Sequence, residues 1–283
     1  MLPGFVLFLR EGLEASLIVS ILLAALRQLG QPEKMRAVWL GVIAAVLGSL
    51  VGGIALYVTV REYAGTSLQT ILETITYVLA VVLLTYMTFW MQSHSRTLRS
   101  EIATQAGAAG SGFALGMLAF TSVGREGLES AVFTLAFAFE TKGALLLGGA
   151  LGIMTSVALS VLIYRFGYRL DFRLFFRVMG ILLLVFAAGL VGNAVQNMQA
   201  LGWIHAGTTP LWNISRFLSE DSMLGDLLHS FVGYSASPSQ LQGALYALYL
   251  VIVGGWFWMM TRKPPAREAT VELSTTAAIP HQA

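Results

Sequence analysis

Apolar runs of about 20 residues follow one another along this chain, and that is the length one helix needs to cross the hydrocarbon of a bilayer. Seven such runs are legible: Leu2–Leu26, Ala37–Val60, Leu68–Met91, Ser111–Phe139, Gly143–Phe166, Leu174–Met198 and Leu241–Thr261. Only 11% of the 283 residues are charged, whereas a soluble domain carries about 25%. The expected fold class is therefore an all-α polytopic membrane protein with seven transmembrane helices. The first run carries Arg10, Glu11 and Glu14, lacks a basic leader and has no evident cleavage site, so it does not read as a signal peptide. There are no cysteines, which excludes disulfides and thiolate metal sites. The net charge of +2 comes from basic residues scattered between spans, so no nucleic-acid partner is expected.

The distribution of those basic residues sets an orientation. One set of connecting segments holds Arg27, Lys34, Arg36, Arg96, Arg99, Arg165, Arg169, Arg173, Arg177, Arg262, Lys263 and Arg267. The other holds Arg61, Lys142 and Arg216. Positive residues stay on the cytoplasmic side, which puts the N-terminus outside and the C-terminus inside. The tail after Arg262 is short, polar and Pro-containing, a composition expected to be disordered.

Within this apolar chain the pentapeptide Arg-Glu-Gly-Leu-Glu occurs twice, at Arg10–Glu14 and Arg125–Glu129. A charged side chain at the bilayer centre costs about 2.5–3.5 kcal/mol on insertion scales, and ionisable residues inside spans mark functional sites. The first copy lies in a span running inward and the second in a span running outward. The expected organisation is an inverted 3+3 repeat: residues 1–91 as the first three-helix unit and 111–198 as the second. An extracytoplasmic loop (199–240), a seventh helix (241–261) and a cytoplasmic tail (262–283) follow. Transporters of this build hold substrate near the midplane, at the repeat interface.

On a helix Glu11 and Glu14 are three residues apart and share a face, with Arg10 four residues from Glu14. Arg125, Glu126 and Glu129 repeat the pattern. Four facing carboxylates form a hard oxygen site suited to Mg, Ca, Mn or iron rather than copper(I). Each motif has formal charge −1, so a divalent cation balances the pair. The alternative is that these residues form structural ion pairs. Gly12 and Gly127 point away from the glutamate face and fit either close helix packing or a local break.

At these residues the chain resembles the FTR1-type iron permeases, most of all the bacterial branch serving inner-membrane iron uptake. The resemblance covers nearly all spans. Besides the two pentapeptides it rests on Tyr86-Met-Thr-Phe-Trp-Met91 and on the outer loop: Leu211-Trp-Asn, Glu220-Asp-Ser-Met-Leu-Gly225, Leu228-His229, Gly233-Tyr234 and Pro238-Ser239. It implies an iron permease of the bacterial inner membrane, not an enzyme. Iron is the transported substrate, with no permanent cofactor. Glu11, Glu14, Glu126 and Glu129 are the implied metal ligands, and a periplasmic or extracellular iron-oxidising or iron-delivering protein is an implied partner. Bacterial relatives often carry His-Glu near the outer end of the sixth span, where this chain has Gln196-Asn197.

Arg10 and Arg125 are expected to be the motif's counter-charges. Glu73, with Tyr77 one turn deeper, and Glu140 are candidates for the entry path, against the alternative of solvated interfacial carboxylates. Asn193 and Gln196 fit a vestibule lining or interhelical hydrogen bonds. Met87, Met91 and Met117 are expected to pack. Gly48/Gly52, Gly112/Gly116 and Gly148/Gly152 have the spacing of close helix contacts. Two other functional readings stay open: a transporter of another divalent or lead-like cation, and a membrane oxidase with a carboxylate metal centre. Di-iron bundle enzymes use Glu-x-x-His pairs, and no histidine falls in a predicted span.

Overall fold

A computed structural model of the chain describes residues 2–63, 65–94, 98–109, 111–140, 144–166, 172–219 and 222–262. The described residues are helical and contain no strand, only an isolated antiparallel bridge between Pro210 and Ser239. This is the physical outcome demanded by lipid, where each backbone polar group must find its partner inside the same segment. The long helices are α1 (Leu2–Gln28), α2 (Met35–Glu62), α3 (Ser67–His94), α5 (Gly112–Glu140), α6 (Ala144–Phe166) and α7 (Phe172–Ala200), with the short α4 (Leu98–Ala108) between α3 and α5.

Segments 32–62, 67–93, 174–200 and 240–262 are long and apolar enough to cross a membrane. α1 and α5 match them in length, but each carries the three ionisable side chains of a pentapeptide. In α6 the apolar stretch is the shorter Leu147–Leu162.

Three features of the second half were not anticipated from sequence. α8 (Met223–Val232) folds inside the loop after α7 and packs on α1, α5 and α7. Ser222 caps its start by accepting from the Gly225 N–H at 3.0 Å, and Gly233 ends it with φ 70°. That left-handed turn suits glycine. The last long segment is not a uniform helix: α9 (Gln240–Tyr249) passes through a π turn at Leu250–Gly254 into α10 (Gly255–Arg262). Ser239 and Gln242 form a reciprocal capping box at its start.

The helices pair in a definite pattern. α1 lies along α6, α2 along α5 and α3 along α7, while α1 and α5 meet in the middle. One apolar cluster joins α1, α3, α5 and α7 through Leu7, Leu84, Phe133 and Phe186. A second joins α1, α2, α4 and α5 through Leu22, Val38, Ile102 and Leu115. α2 turns Leu40, Val51 and Ile54 outward, as a lipid-facing helix must.

Gly12 and Gly127 are packing positions inside unbroken helices. A Cβ on Gly12 would lie 2.9 Å from Cβ of Ser156 on α6, and one on Gly127 would lie 2.6 Å from Cβ of Ser49 on α2. The expected close contacts at Gly48 and Gly52 are not made, since a Cβ at either would meet nothing within 4 Å. Their spacing alone did not show which face of α2 meets α5. Met87 and Met91 are buried as expected, but Met117 is 43% exposed on the outer face of α5. The tail from residue 263, Glu220, Asp221 and the side chain of Glu140 lie outside the described residues.

Candidate cation site

The helical spacing of each pentapeptide puts its arginine and both glutamates on one face, and the α1–α5 contact turns the two faces toward each other. Arg10, Glu11, Glu14 and Glu126 are each 2% exposed and Glu129 is 9% exposed. Arg10 Nη1 donates to Glu11 Oε1 at 2.8 Å. Arg10 Nε lies 3.0 Å from Glu14 Oε1, an ion pair without the alignment of a hydrogen bond.

The second motif is arranged differently. Arg125 Nη2 and Nε donate to Glu126 Oε1 at 2.9 and 3.2 Å, but Nε stands 3.6 Å from Glu129 Oε1. The Arg125 side chain is 47% exposed, and its guanidinium carbon sits 5.1 Å from the centre of the Trp90 ring on α3. Arg10 therefore binds both of its glutamates from within the core. Arg125 hydrogen-bonds one and pairs with the other at the longer distance of 3.6 Å.

Glu11, Glu126 and Glu129 can each offer one carboxylate oxygen with all three atoms within 4.8 Å of one another. Glu14, held by Arg10, is not in that group. Glu11 Oε2, Glu126 Oε2 and Glu129 Oε2 are buried and have no hydrogen-bond partner among the described residues. A buried carboxylate oxygen without a partner is costly. Carboxylates converging from two helices are the oxygen-rich donors that hard cations take.

The other expected site residues lie apart from this cluster. Glu73 is half-buried, accepts from Gln69 Nε2 at 2.7 Å and is reached by Asn197 Nδ2 at 3.5 Å. Asn197, the second residue of the Gln196-Asn197 pair, thus meets Glu73 on α3. Tyr77 is 4% exposed and belongs to the core cluster of α1, α3, α5 and α7. Gln196 is exposed. Asn193 is buried with its Oδ1 unpartnered among the described residues, so the interhelical bond expected there is not made by that atom.

Two contributors were missed from sequence. Ser49 and Ser156 receive the motif glycines, and only the helix pairing reveals them. Trp90 was noted as part of a resemblance, but its place beside Arg125 depends on the α3–α5 contact.

A profile described as "Iron permease FTR1 family" matches residues 1–264. The chain is 36% identical over 259 residues to the ferrous iron permease EfeU of Escherichia coli O6:K15:H31, covering 89% of this chain and 93% of that protein. The EfeU of Shigella sonnei gives the same values. The EfeU of Yersinia pestis is 34% identical over 259 residues, covering 89% of this chain and 91% of its own. No solved structure matches. These relatives are named as permeases rather than enzymes. The described residues form an all-helical fold with apolar helices long enough to cross a membrane, and the match runs almost from end to end. The chain is therefore a multi-pass membrane protein of the FTR1 iron permease family.

Proposed function

We propose that this chain imports ferrous iron across the cytoplasmic membrane through a carboxylate site shared by its two Arg-Glu-Gly-Leu-Glu motifs. One observation carries the reading: Glu11 of α1 and Glu126 and Glu129 of α5 bring buried oxygens within 4.8 Å of one another in a chain whose relatives are named ferrous iron permeases. Six ionisable groups with formal charge −2 stand ready for a divalent cation. Glu14 completes the set when Arg10 yields it, and Arg125 likewise yields Glu129. Outside the core, Glu73 and Glu140 guide the ion in, with Tyr77 one turn deeper. No permanent cofactor is needed, because the metal is cargo. A periplasmic iron-delivering or iron-oxidising protein is a fitting partner at the outer mouth.

Seven spans, with the N-terminus outside and the C-terminus inside, complete the proposal. The helix pairing supports an inverted repeat plus one further helix. Exchanging α1 with α5, α2 with α6 and α3 with α7 converts the α1–α6 contact into α5–α2 and leaves α3–α7 and α1–α5 unchanged. The same exchange converts Gly12–Ser156 into Gly127–Ser49. Such repeats alternate access around a fixed central site.

Uptake by proteoliposomes tests the substrate. Radioactive Fe(II) held reduced should enter and be competed by unlabelled Fe(II) more strongly than by Mn(II) or Pb(II). Preferential uptake of lead or manganese would replace iron with another divalent cargo. Consumption of oxygen by the purified protein with Fe(II) would favour a membrane oxidase.

A further inference from the structure

The two motifs are chemically identical, yet their arginines are held differently, and an aromatic ring stands beside the second. Arg10 is fully enclosed, with Glu11 at 2.8 Å and Glu14 at 3.0 Å. Arg125 keeps Glu126 at 2.9 Å, stands back from Glu129 at 3.6 Å and sits 5.1 Å from the centre of the Trp90 ring. An arginine within about 6 Å of an indole centroid is attracted by the negative face of the ring. The ring stands beside the guanidinium while Glu129 is held at the longer distance of 3.6 Å. Glu129, the glutamate held at the longer distance, belongs to the converging trio together with Glu11 and Glu126.

Trp90 is well placed to hold a cation steadily. Its chain neighbour Phe89 packs on Trp256 at 5.3 Å and on Phe257 at 5.9 Å between ring centres, so α10 braces the end of α3 that presents the indole. Met87 and Met91, on either side along α3, are buried.

We propose that Trp90 is a positioning residue for transport: its ring is the resting place of the Arg125 guanidinium and thereby frees Glu129 to bind the cation. The inference rests on the carboxylate-site reading above. A ligand that needs a fractionally populated state binds more weakly by that fraction. With the ring present, Arg125 has an alternative to Glu129 and the competent state is well populated. Without it, Arg125 closes on Glu129 and competes with the incoming ion. Arg10 is enclosed against both of its glutamates, so the first motif yields Glu14 less readily and the second carries the looser lock.

The test is a titration of the full-length protein in nanodiscs with Mn(II), a hard divalent probe read by electron paramagnetic resonance. Wild type, Trp90→Phe, Trp90→Leu, Arg125→Gln, Trp90→Leu/Arg125→Gln and Glu129→Gln are compared, each checked by size exclusion. Loss of a single cation–π contact predicts Mn(II) affinity weakened about five- to tenfold in Trp90→Leu, with a smaller loss of about two- to threefold in Trp90→Phe, which keeps a poorer ring. In the Arg125→Gln background Trp90→Leu should change nothing further, because the cation it positions is gone. If Trp90→Leu does not fold, the graded loss in Trp90→Phe decides alone. Unchanged affinity in the Trp90 variants, with Glu129→Gln still weakened, overturns this inference and leaves the carboxylate site standing. An equal loss from Trp90→Leu with and without Arg125 overturns it too, since that is simple loss of packing. Wild type binding no better than Glu129→Gln overturns both.

Discussion

Replacing Arg10 by Gln should cost far more stability than replacing Arg125 by Gln, although the two residues occupy the same place in the same pentapeptide. Arg10 is 2% exposed and is the close partner of Glu11 at 2.8 Å and of Glu14 at 3.0 Å. Its removal leaves two buried carboxylates without their nearest positive charge. Breaking a buried pair by deleting one partner costs about 3–5 kcal/mol. The Arg125 side chain is 47% exposed, so its pairs with Glu126 and Glu129 are only partly enclosed by protein. A half-enclosed arginine that stands 3.6 Å from one of its glutamates leaves less behind when removed than one fully enclosed against two. Melting of the purified protein in one detergent, followed by the loss of monodisperse material on size exclusion, gives both shifts on one scale. The Arg10→Gln midpoint should fall several-fold further than that of Arg125→Gln. The double change Arg10→Gln/Glu14→Gln should recover part of the lost stability by removing an orphaned charge, without restoring iron uptake. Equal midpoint shifts for the two arginine variants would refute the reasoning, because they would mean that burial does not set the worth of these pairs.

Gly127→Ala should destabilise the protein, since the new Cβ would stand 2.6 Å from Ser49 Cβ on α2. Overpacking of this kind costs about 1–3 kcal/mol, and the companion change Ser49→Gly should return most of it in the same melting assay. Gly233→Ala should loosen α8, because φ there is 70° and its Cβ would press on Gly189 of α7; faster proteolysis of residues 201–240 reads this out, and an unchanged digest counts against it. The chain has no native cysteine, so single cysteines at Ser215 and after Arg262 can be labelled from either side of intact cells. Labelling from opposite sides is the expected result, and labelling from one side would remove the odd number of spans.

The helical character of the chain was legible because apolar runs leave the backbone one economical solution in lipid. The pentapeptides stood out as a candidate site because charge inside such a run demands a reason. What could not be read was which surfaces meet. Gly48/Gly52 and Gly12/Gly127 look equally plausible as contact points in a sequence, yet the first pair faces open space and the second meets serines. The four glutamates looked equivalent, yet three of them converge and Glu14 does not, a difference that only the packing of α1 on α5 reveals. α8 was hidden by length: ten residues with a serine before and a glycine after are a capped helix, but the loop around them suggested none. Asn197 shows another kind of limit, because its partner Glu73 lies on a helix far away in sequence.

The central claim is that buried carboxylates from both motifs hold the transported iron. It is tested most directly by Fe(II) uptake into proteoliposomes containing Glu11→Gln, Glu14→Gln, Glu126→Gln or Glu129→Gln, each normalised to folded protein. Glutamine keeps the volume and hydrogen-bonding capacity while removing the charge. The account predicts that every single change reduces uptake strongly, by about tenfold or more for each lost charged ligand contact. Wild-type uptake by Glu126→Gln or Glu129→Gln would contradict it.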